Sequence, residues 1–285
     1  MKIIDAHLHF SEVKRFRNCA EKISQINYSM EGLKEDFESN EIVTGIAMGL
    51  EETHDKAFPD AEQRNPMEAN LEGTLPSWLK YCLGINPLQL KNDPLGEFLT
   101  IERKLQEQAV VGIKLYPGYY PVAVTNAIYR PIYHLAEAYG VPVTIHCGKT
   151  YAVKGYLHDS HPLLVNQVAL QYPNVKFIIA HLGDPWVMDT AAIISNNSNV
   201  FADLSGLVIG DQQSVRQRME SKLFVEHIQR ALDYAASYDK ILYGSDWPLV
   251  QLNIYINWIK GLIAQQYHKD VFYENAIKVY DGLLK

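Results

Sequence analysis

The sequence predicts a (β/α)8 barrel, and three observations carry that prediction. Eight short apolar runs, rich in β-branched residues, recur along the chain at intervals of 25 to 41 residues from start to start. Helical patterns lie between them. The 285 residues suffice for such a barrel with extra cover at one end. The runs are Ile3–Phe10, Ile42–Leu50, Tyr81–Pro87, Val110–Pro117, Val141–Gly148, Val175–Gly183, Val200–Gly206 and Ile241–Pro248. They are nearly apolar on both faces, as a strand buried in a parallel sheet requires.

The connecting segments follow in order. Ser11–Glu41 and Glu51–Lys80 are longer than one covering helix needs, so extra helices or loops are expected over one barrel end. Pro94–Gln108 shows helical spacing in Leu95, Phe98, Leu99, Ile101 and Leu105. Asn126–Tyr139 starts at a capping candidate and stops at Gly140, placed to end a helix in the left-handed conformation. His161-Pro162 opens another helix, where proline is tolerated in the first turn. Gly210–Lys240 is again long. No linker or repeat interrupts the chain, so residues 1–285 read as one domain, a somewhat distorted TIM barrel. An open doubly wound sheet is the weaker alternative, because no Gly-x-Gly-x-x-Gly loop follows the first strand.

Composition excludes several classes. Acidic residues outnumber basic ones 33 to 26, a formal charge of −7, and no basic stripe exists to neutralise phosphates. Nucleic-acid binding is therefore not expected. Three scattered cysteines (Cys19, Cys82, Cys147) do not make a disulfide framework and fit a reducing cytoplasm. No apolar stretch is long enough for a membrane span or a secretory signal, so a soluble cytoplasmic protein is expected.

Ionisable residues recur near the ends of the runs, at the barrel face where such folds place active sites. His7 and His9 are two apart on the first strand and so share a face. His146 sits in Thr-Ile-His-Cys-Gly, His181 in Ile-Ala-His-Leu-Gly and Asp246 in Tyr-Gly-Ser-Asp-Trp-Pro. A lone histidine in an apolar run is more often a satisfied core residue than a ligand. Several imidazoles and a carboxylate at equivalent strand ends instead suit a divalent ion such as zinc. Lys114 ends the fourth run, and it reads equally as a functional group or as an interior lysine paired with an acid.

Loops after the strands carry Tyr116, Tyr119, Tyr120, Lys149, Tyr151, Lys154, Tyr156, His158 and Trp247. Of these, Tyr116, Tyr119, Lys149 and Trp247 are the candidate substrate contacts, suited to a planar or anionic small molecule. The tyrosines could equally pack a lid or a subunit contact. Cys147 follows a ligand candidate on its strand and should face the other way. His54, His134, His161, His227 and His268 fall on helices or loops and read as structural or exposed.

The stretches IIDAHLHF, GIKLYP, VPVTIHCG, HPLLVNQVALQYPNVKFIIAHLG and ILYGSDWP, in this order, resemble the amidohydrolase superfamily, in particular its amidohydrolase-2 branch. The resemblance runs over nearly the whole chain. It implies a metal site of His7, His9, His146 and Asp246, with Asp246 passing protons and His181 as hydrogen-bond donor or acid/base. In binuclear relatives His181 and a carboxylated Lys114 would hold or bridge a second metal. This chain departs from the Gly-x-Lys-Leu-His-Pro pattern at Tyr116, which leaves one metal or two open, with one expected.

The resemblance implies hydrolysis of a C–N or C–O bond in an amide, lactone or cyclic ester. A bound Zn²⁺, or another divalent ion, would bring the pKa of water from about 15.7 to about 7. The alternative is a non-oxidative decarboxylase of an aromatic or unsaturated carboxylic acid at the same site. A non-catalytic barrel is the third reading, opposed by the complete ligand set. A homodimer is the family-based expectation for assembly.

Overall fold

In the computed structural model, residues 1–10, 14–49, 75–151 and 155–283 are described. Eight strands run parallel in sequence order: β1 (Ile3–Leu8), β2 (Ile42–Met48), β3 (Leu79–Gly84), β4 (Val110–Leu115), β5 (Val143–Ile145), β6 (Phe177–Ile179), β7 (Val200–Asp203) and β8 (Ile241–Leu242). All eight overlap the expected runs, β3 beginning two residues earlier than expected. The chain around β8 returns to β1 and brings the sheet round on itself. Ala6 donates to the Tyr243 carbonyl at 3.0 Å, and Ser245 and Asp246 donate to the His7 carbonyl at 3.1 and 2.8 Å. The result is the predicted (β/α)8 barrel, with strand-end residues of β1 and β8 drawn side by side.

The strands are buried because both their faces are covered. Side chains facing the helices join the large core cluster. Others, among them Ile4, Ile46, Cys82, Val111, Ile178 and Phe201, form a second cluster with Val279, Tyr280 and Leu283 from the end of the chain. Cys147 belongs to the large cluster, and burial pushes its thiol far up, which keeps it protonated.

The expected cover is present where it is described. Between β1 and β2 lie α1 (Lys14–Cys19), a π-turn at Ala20–Ser24, and α2 (Met30–Ser39). The Ser29 hydroxyl caps α2, accepting from Gly32 N at 3.0 Å. The expectation for Glu51–Lys80 falls largely outside the described residues, as do His54 and Lys154. After β3 come α3 (Pro87–Asn92) and α4 (Pro94–Lys104), the latter ending four residues before the expected Gln108. The stretch from Asn126 is a 3-10 turn at Ala127–Tyr129 followed by α5 (Arg130–Tyr139). Helix α5 ends at Gly140, whose φ of +66° suits glycine. Helix α6 (Leu163–Gln171) starts directly after Pro162, and α7 (Val187–Asn196) follows β6. The long segment before β8 holds α8 (Gln212–Met219) and α9 (Lys222–Ala235), and α10 (Leu252–Leu262) and α11 (Asn275–Val279) complete the ring. No described helix is long and apolar enough to cross a membrane.

Candidate functional site

The strand ends converge on one polar cluster inside an otherwise apolar barrel. His7 lies on β1 and His9 just past it, Lys114 lies on β4, and Asp203 is the last residue of β7. His146, His181 and Asp246 follow β5, β6 and β8. His7, Lys114 and Asp203 are fully buried, and His9, His146 and Asp246 are nearly so. His181 and Asp246 sit at positive φ, 60° and 63°, a conformation that costs a side-chain-bearing residue on the order of 1–3 kcal/mol. The surrounding contacts hold it.

His9 Nε2 stands 3.1 Å and His7 Nε2 3.7 Å from the same Asp246 Oδ1. That oxygen is buried and has no well-formed hydrogen bond among the described residues. Two ligands each about 2.1 Å from one cation stand roughly 3–3.5 Å apart, close to what these atoms show.

The hydrogen bonds also set the tautomers. Asp203 Oδ2 lies 2.8 Å from His7 Nδ1, and a carboxylate held ionised only accepts, so Nδ1 carries the proton and Nε2 presents a bare lone pair. The Ser205 carbonyl and hydroxyl meet His181 Nδ1 at 3.1 and 2.9 Å. The hydroxyl is donating to Asp203 Oδ1, so both Ser205 oxygens accept from His181. His181 Nε2 then accepts from His146 Nδ1 at 3.2 Å, leaving His146 Nε2 a second bare lone pair. Both Nε2 atoms are buried without a hydrogen-bond partner among the described residues. Burying such groups unsatisfied costs roughly 1–3 kcal/mol each. The His7 lone pair, His9 Nε2 and the Asp246 oxygen lie close enough together to fit a divalent cation, with His146 outside that close group.

Electrostatics agree. Burial lowers the His7 pKa to about 3, aided by Lys114 and opposed by Asp203, so the ring is neutral at pH 7. Burial also takes His146 well below the ordinary imidazole range, with His181 adding to it. His181 is lowered as well, chiefly by burial. For Asp246 burial works upward, but contact with His9, with smaller contributions from the neighbouring imidazoles, outweighs it and holds the carboxylate ionised. Asp203 is ionised for the same kind of reason, with His7 opposing its burial.

His7, His9 and Asp246 form a group able to hold a metal, and His7, His181 and Asp203 form a second. In the second group the Asp203 oxygens are taken up by His7 Nδ1, the His181 and Ser205 amides and the Ser205 hydroxyl. It therefore orients rings. His146 stands beside the first group through His181, the two ring centroids 5.0 Å apart. Lys114 Nζ has neither an acid partner nor a hydrogen bond among the described residues and lies 5.1 Å from the Tyr116 ring. Burial takes its pKa down to about 8 against the pull of Asp203 and Asp246.

A cavity of about 450 Å³ opens over this cluster. Tyr116, Tyr119 and Lys149 are among the residues that line it. The Tyr116 hydroxyl donates to the Met48 carbonyl at 3.3 Å, and Tyr119 sets its ring edge-on to His146. Trp247 does not line the cavity. Its indole is fully buried, stacked on Tyr28 and donating to Asp36 Oδ2 at 2.9 Å, so it locks the α2 cover to the barrel.

Sequence reasoning missed Asp203, Ser205, Gly206 and Arg218. The first three form Asp-Leu-Ser-Gly at the end of the seventh run, where an acid stands in the position that marked the other strands. Arg218 on α8 carried no signal. Asp5 was also passed over. It accepts from the Ser245 amide, the Ser245 hydroxyl and the His7 amide, and so pins β1 to the turn that carries Asp246.

No curated protein matches the chain. Solved structures match over nearly its whole length at low identity. An uncharacterised TIM-barrel protein from Bordetella bronchiseptica is 15% identical, with a TM-score of 0.67 and 100% of each chain covered. A probable 2-pyrone-4,6-dicarboxylic acid hydrolase from Acinetobacter baumannii, solved with citric acid bound, is 14% identical, with a TM-score of 0.63 and coverage of 98% and 99%. A 5-carboxyvanillate decarboxylase from Novosphingobium aromaticivorans, complexed with manganese and a nitrobenzoic acid, is 14% identical, with a TM-score of 0.60 and coverage of 98% and 95%. At these identities the likeness shows the fold. A family model described as amidohydrolase matches residues 4–282, and the chain belongs to that family.

Proposed function

We propose that the chain is a divalent-metal-dependent enzyme that hydrolyses a C–N or C–O bond of a small planar carboxylic acid derivative: an amide, a lactone or a cyclic ester. The observation that carries it is Asp246: a buried carboxylate held ionised, with one oxygen 3.1 Å from His9 Nε2 and 3.7 Å from His7 Nε2. A carboxylate that stays ionised is in the form that can accept a proton.

His7, His9, His146 and Asp246 would hold the ion, zinc or another divalent metal, one per chain. Bound there, it supplies Lewis acidity, drawing electron density from a substrate oxygen and making water more acidic. Asp246 takes a proton from the attacking water and returns it to the leaving group. Asp203 orients His7, and His181 orients His146. In this hydrogen-bond arrangement His181 has no proton free to donate, so an acid/base role for it requires protonation at Nε2. Tyr116 and Tyr119 offer flat walls for a ring, and the cavity volume suits a single-ring molecule.

A decarboxylase reading uses the same residues, and the manganese-complexed decarboxylase of the same fold favours it. One experiment separates the two. The metal-replete protein is screened against lactones, amides and aromatic acids in ¹⁸O-water. Hydrolysis puts ¹⁸O into the product carboxylate, whereas carbon dioxide release without ¹⁸O in the product marks the lyase. Turnover that survives complete metal removal overturns both.

A further inference from the structure

Three cationic side chains stand on the cavity wall, Lys114, Lys149 and Arg218. Lys149 and Arg218 are exposed to water. Lys114 is fully buried on β4, in register with Gly84 of β3 and Thr144 of β5. An interior lysine is ordinarily explained by an acid that pairs with it. That explanation fails here, since Nζ has neither an acid partner nor a hydrogen bond among the described residues.

An ammonium group has three N–H donors and nothing to accept with, so burying it unsatisfied is costly. The neutral amine carries no charge, and it has a lone pair. Burial favours that form, against the pull of Asp203 and Asp246. The Cys82 and Cys147 thiols nearby are kept protonated by burial and add no charge. The field of Lys114 in turn reaches His7, His146 and His181, which puts the amine inside the histidine cluster. On its open side the Tyr116 ring lies 5.1 Å away, with the Tyr119 ring edge-on to it at 6.1 Å. The Tyr116 hydroxyl is committed to the Met48 carbonyl, so the ring is a fixed wall and not a proton donor to the amine. A desolvated lysine on the wall of a ring-sized cavity is placed to attack a carbonyl carbon.

We propose that Lys114 is a nucleophile that captures the carbonyl group of a ring-bearing aldehyde or ketone as an imine. The nitrogen lone pair forms the new bond to the carbonyl carbon. The carbonyl oxygen leaves as water and takes both protons of the neutral amine with it. Asp246, an ionised carboxylate on the same wall, carries those protons from nitrogen to oxygen. No electrons are gained or lost and no metal is required, so the inference stands apart from the hydrolysis proposed above.

Reductive trapping tests it. Full-length protein, metal-loaded and metal-stripped, is treated with benzaldehyde and cyanoborohydride in bicarbonate-free buffer near neutral pH, then digested for mass spectrometry. The reductant converts an imine to a stable N-benzyl lysine. Lys114 should be modified at least about tenfold faster than the exposed Lys91 of α3, because a ring held in the cavity presents its carbonyl at high effective concentration. Its rate should saturate with benzaldehyde, as capture after binding requires, whereas that of Lys91 should rise in proportion. Lys114→Met should lose the saturable label and keep the rest. Trapping at Lys114 in either metal state sustains the proposal, whatever the ¹⁸O experiment says of hydrolysis. Label that stops at Lys149, or that reaches Lys114 no faster than Lys91 in both states, overturns it.

Discussion

His7 Nδ1 and Asp203 Oδ2 stand 2.8 Å apart with both side chains buried, and this pair decides which nitrogen of His7 faces the cavity. The proton needed on Nδ1 leaves Nε2 as a bare donor atom. Carboxylates behind metal-binding imidazoles act in this way, and losing one typically costs 10–100-fold in metal affinity. Asp203→Asn should therefore weaken zinc binding by about that factor, read by competition with a chromophoric chelator. An unchanged affinity would remove Asp203 from the site.

Asp246→Asn tests the proposed base. The amide keeps the size of the side chain and loses the charge. Turnover of whichever substrate the screen yields should fall by at least about a hundredfold. The melting profile of the metal-free protein should remain cooperative. Metal content must be measured alongside, so that lost binding is told apart from lost proton transfer. Wild-type turnover in a variant that still holds its metal would exclude the role.

How much of this was legible in the sequence follows from what each residue signals. The strands announced themselves because a parallel barrel buries both their faces, and Gly140 marked the end of α5 because only a left-handed residue fits there. His7 and His9 were readable from spacing, since strand geometry alone puts them on one face. Trp247 was misleading: it follows Asp246 directly, yet the chain turns there and sends the indole under α2. Arg218 could not be found, because α8 is a polar helix whose approach to the cavity is set by tertiary packing. Asp203 was overlooked though visible, since an acid ending an apolar strand needs an explanation as much as a histidine does.

The buried imidazoles make acid lability a consequence of the site. His7 titrates at about 3 when folded and near 6.5 when unfolded, so between those values the unfolded chain holds the extra proton. Stability present above pH 6.5 is thus lost as pH falls. His146 and His181 are shifted in the same direction. Asp5 opposes them: burial raises it to about 7, so its contribution grows as pH falls from there toward about 4. Asp36, Glu97 and Asp184 are raised by burial too, but they are more exposed than the three imidazoles, which outweigh them and Asp5. The urea midpoint of metal-free protein should drop between pH 7 and pH 5, and less steeply in His146→Gln. A midpoint that rises on acidification contradicts this assignment.

Gly206 gives the sharpest separation of strain from function. Its φ is +62°, and a Cβ built there would lie 2.6 Å from Asp246 Oδ2 and 2.8 Å from His181 Nδ1. Gly140 has nearly the same conformation, φ +66°, with nothing described within 4 Å of its Cβ position. Alanine at either site meets a left-handed backbone cost of about 1–2 kcal/mol. Only at Gly206 must the methyl group also displace the carboxylate that faces His9 and the imidazole that orients His146. Gly140→Ala should lower the melting temperature and leave metal affinity and turnover near wild type. Gly206→Ala should lower the melting temperature at least as much and also lose metal affinity, with turnover falling by about tenfold or more, since a displacement near 1 Å at a catalytic group can cost about a hundredfold. If the two variants differ only in stability, the packing of Gly206 against Asp246 and His181 is structural, and the site tolerates their movement.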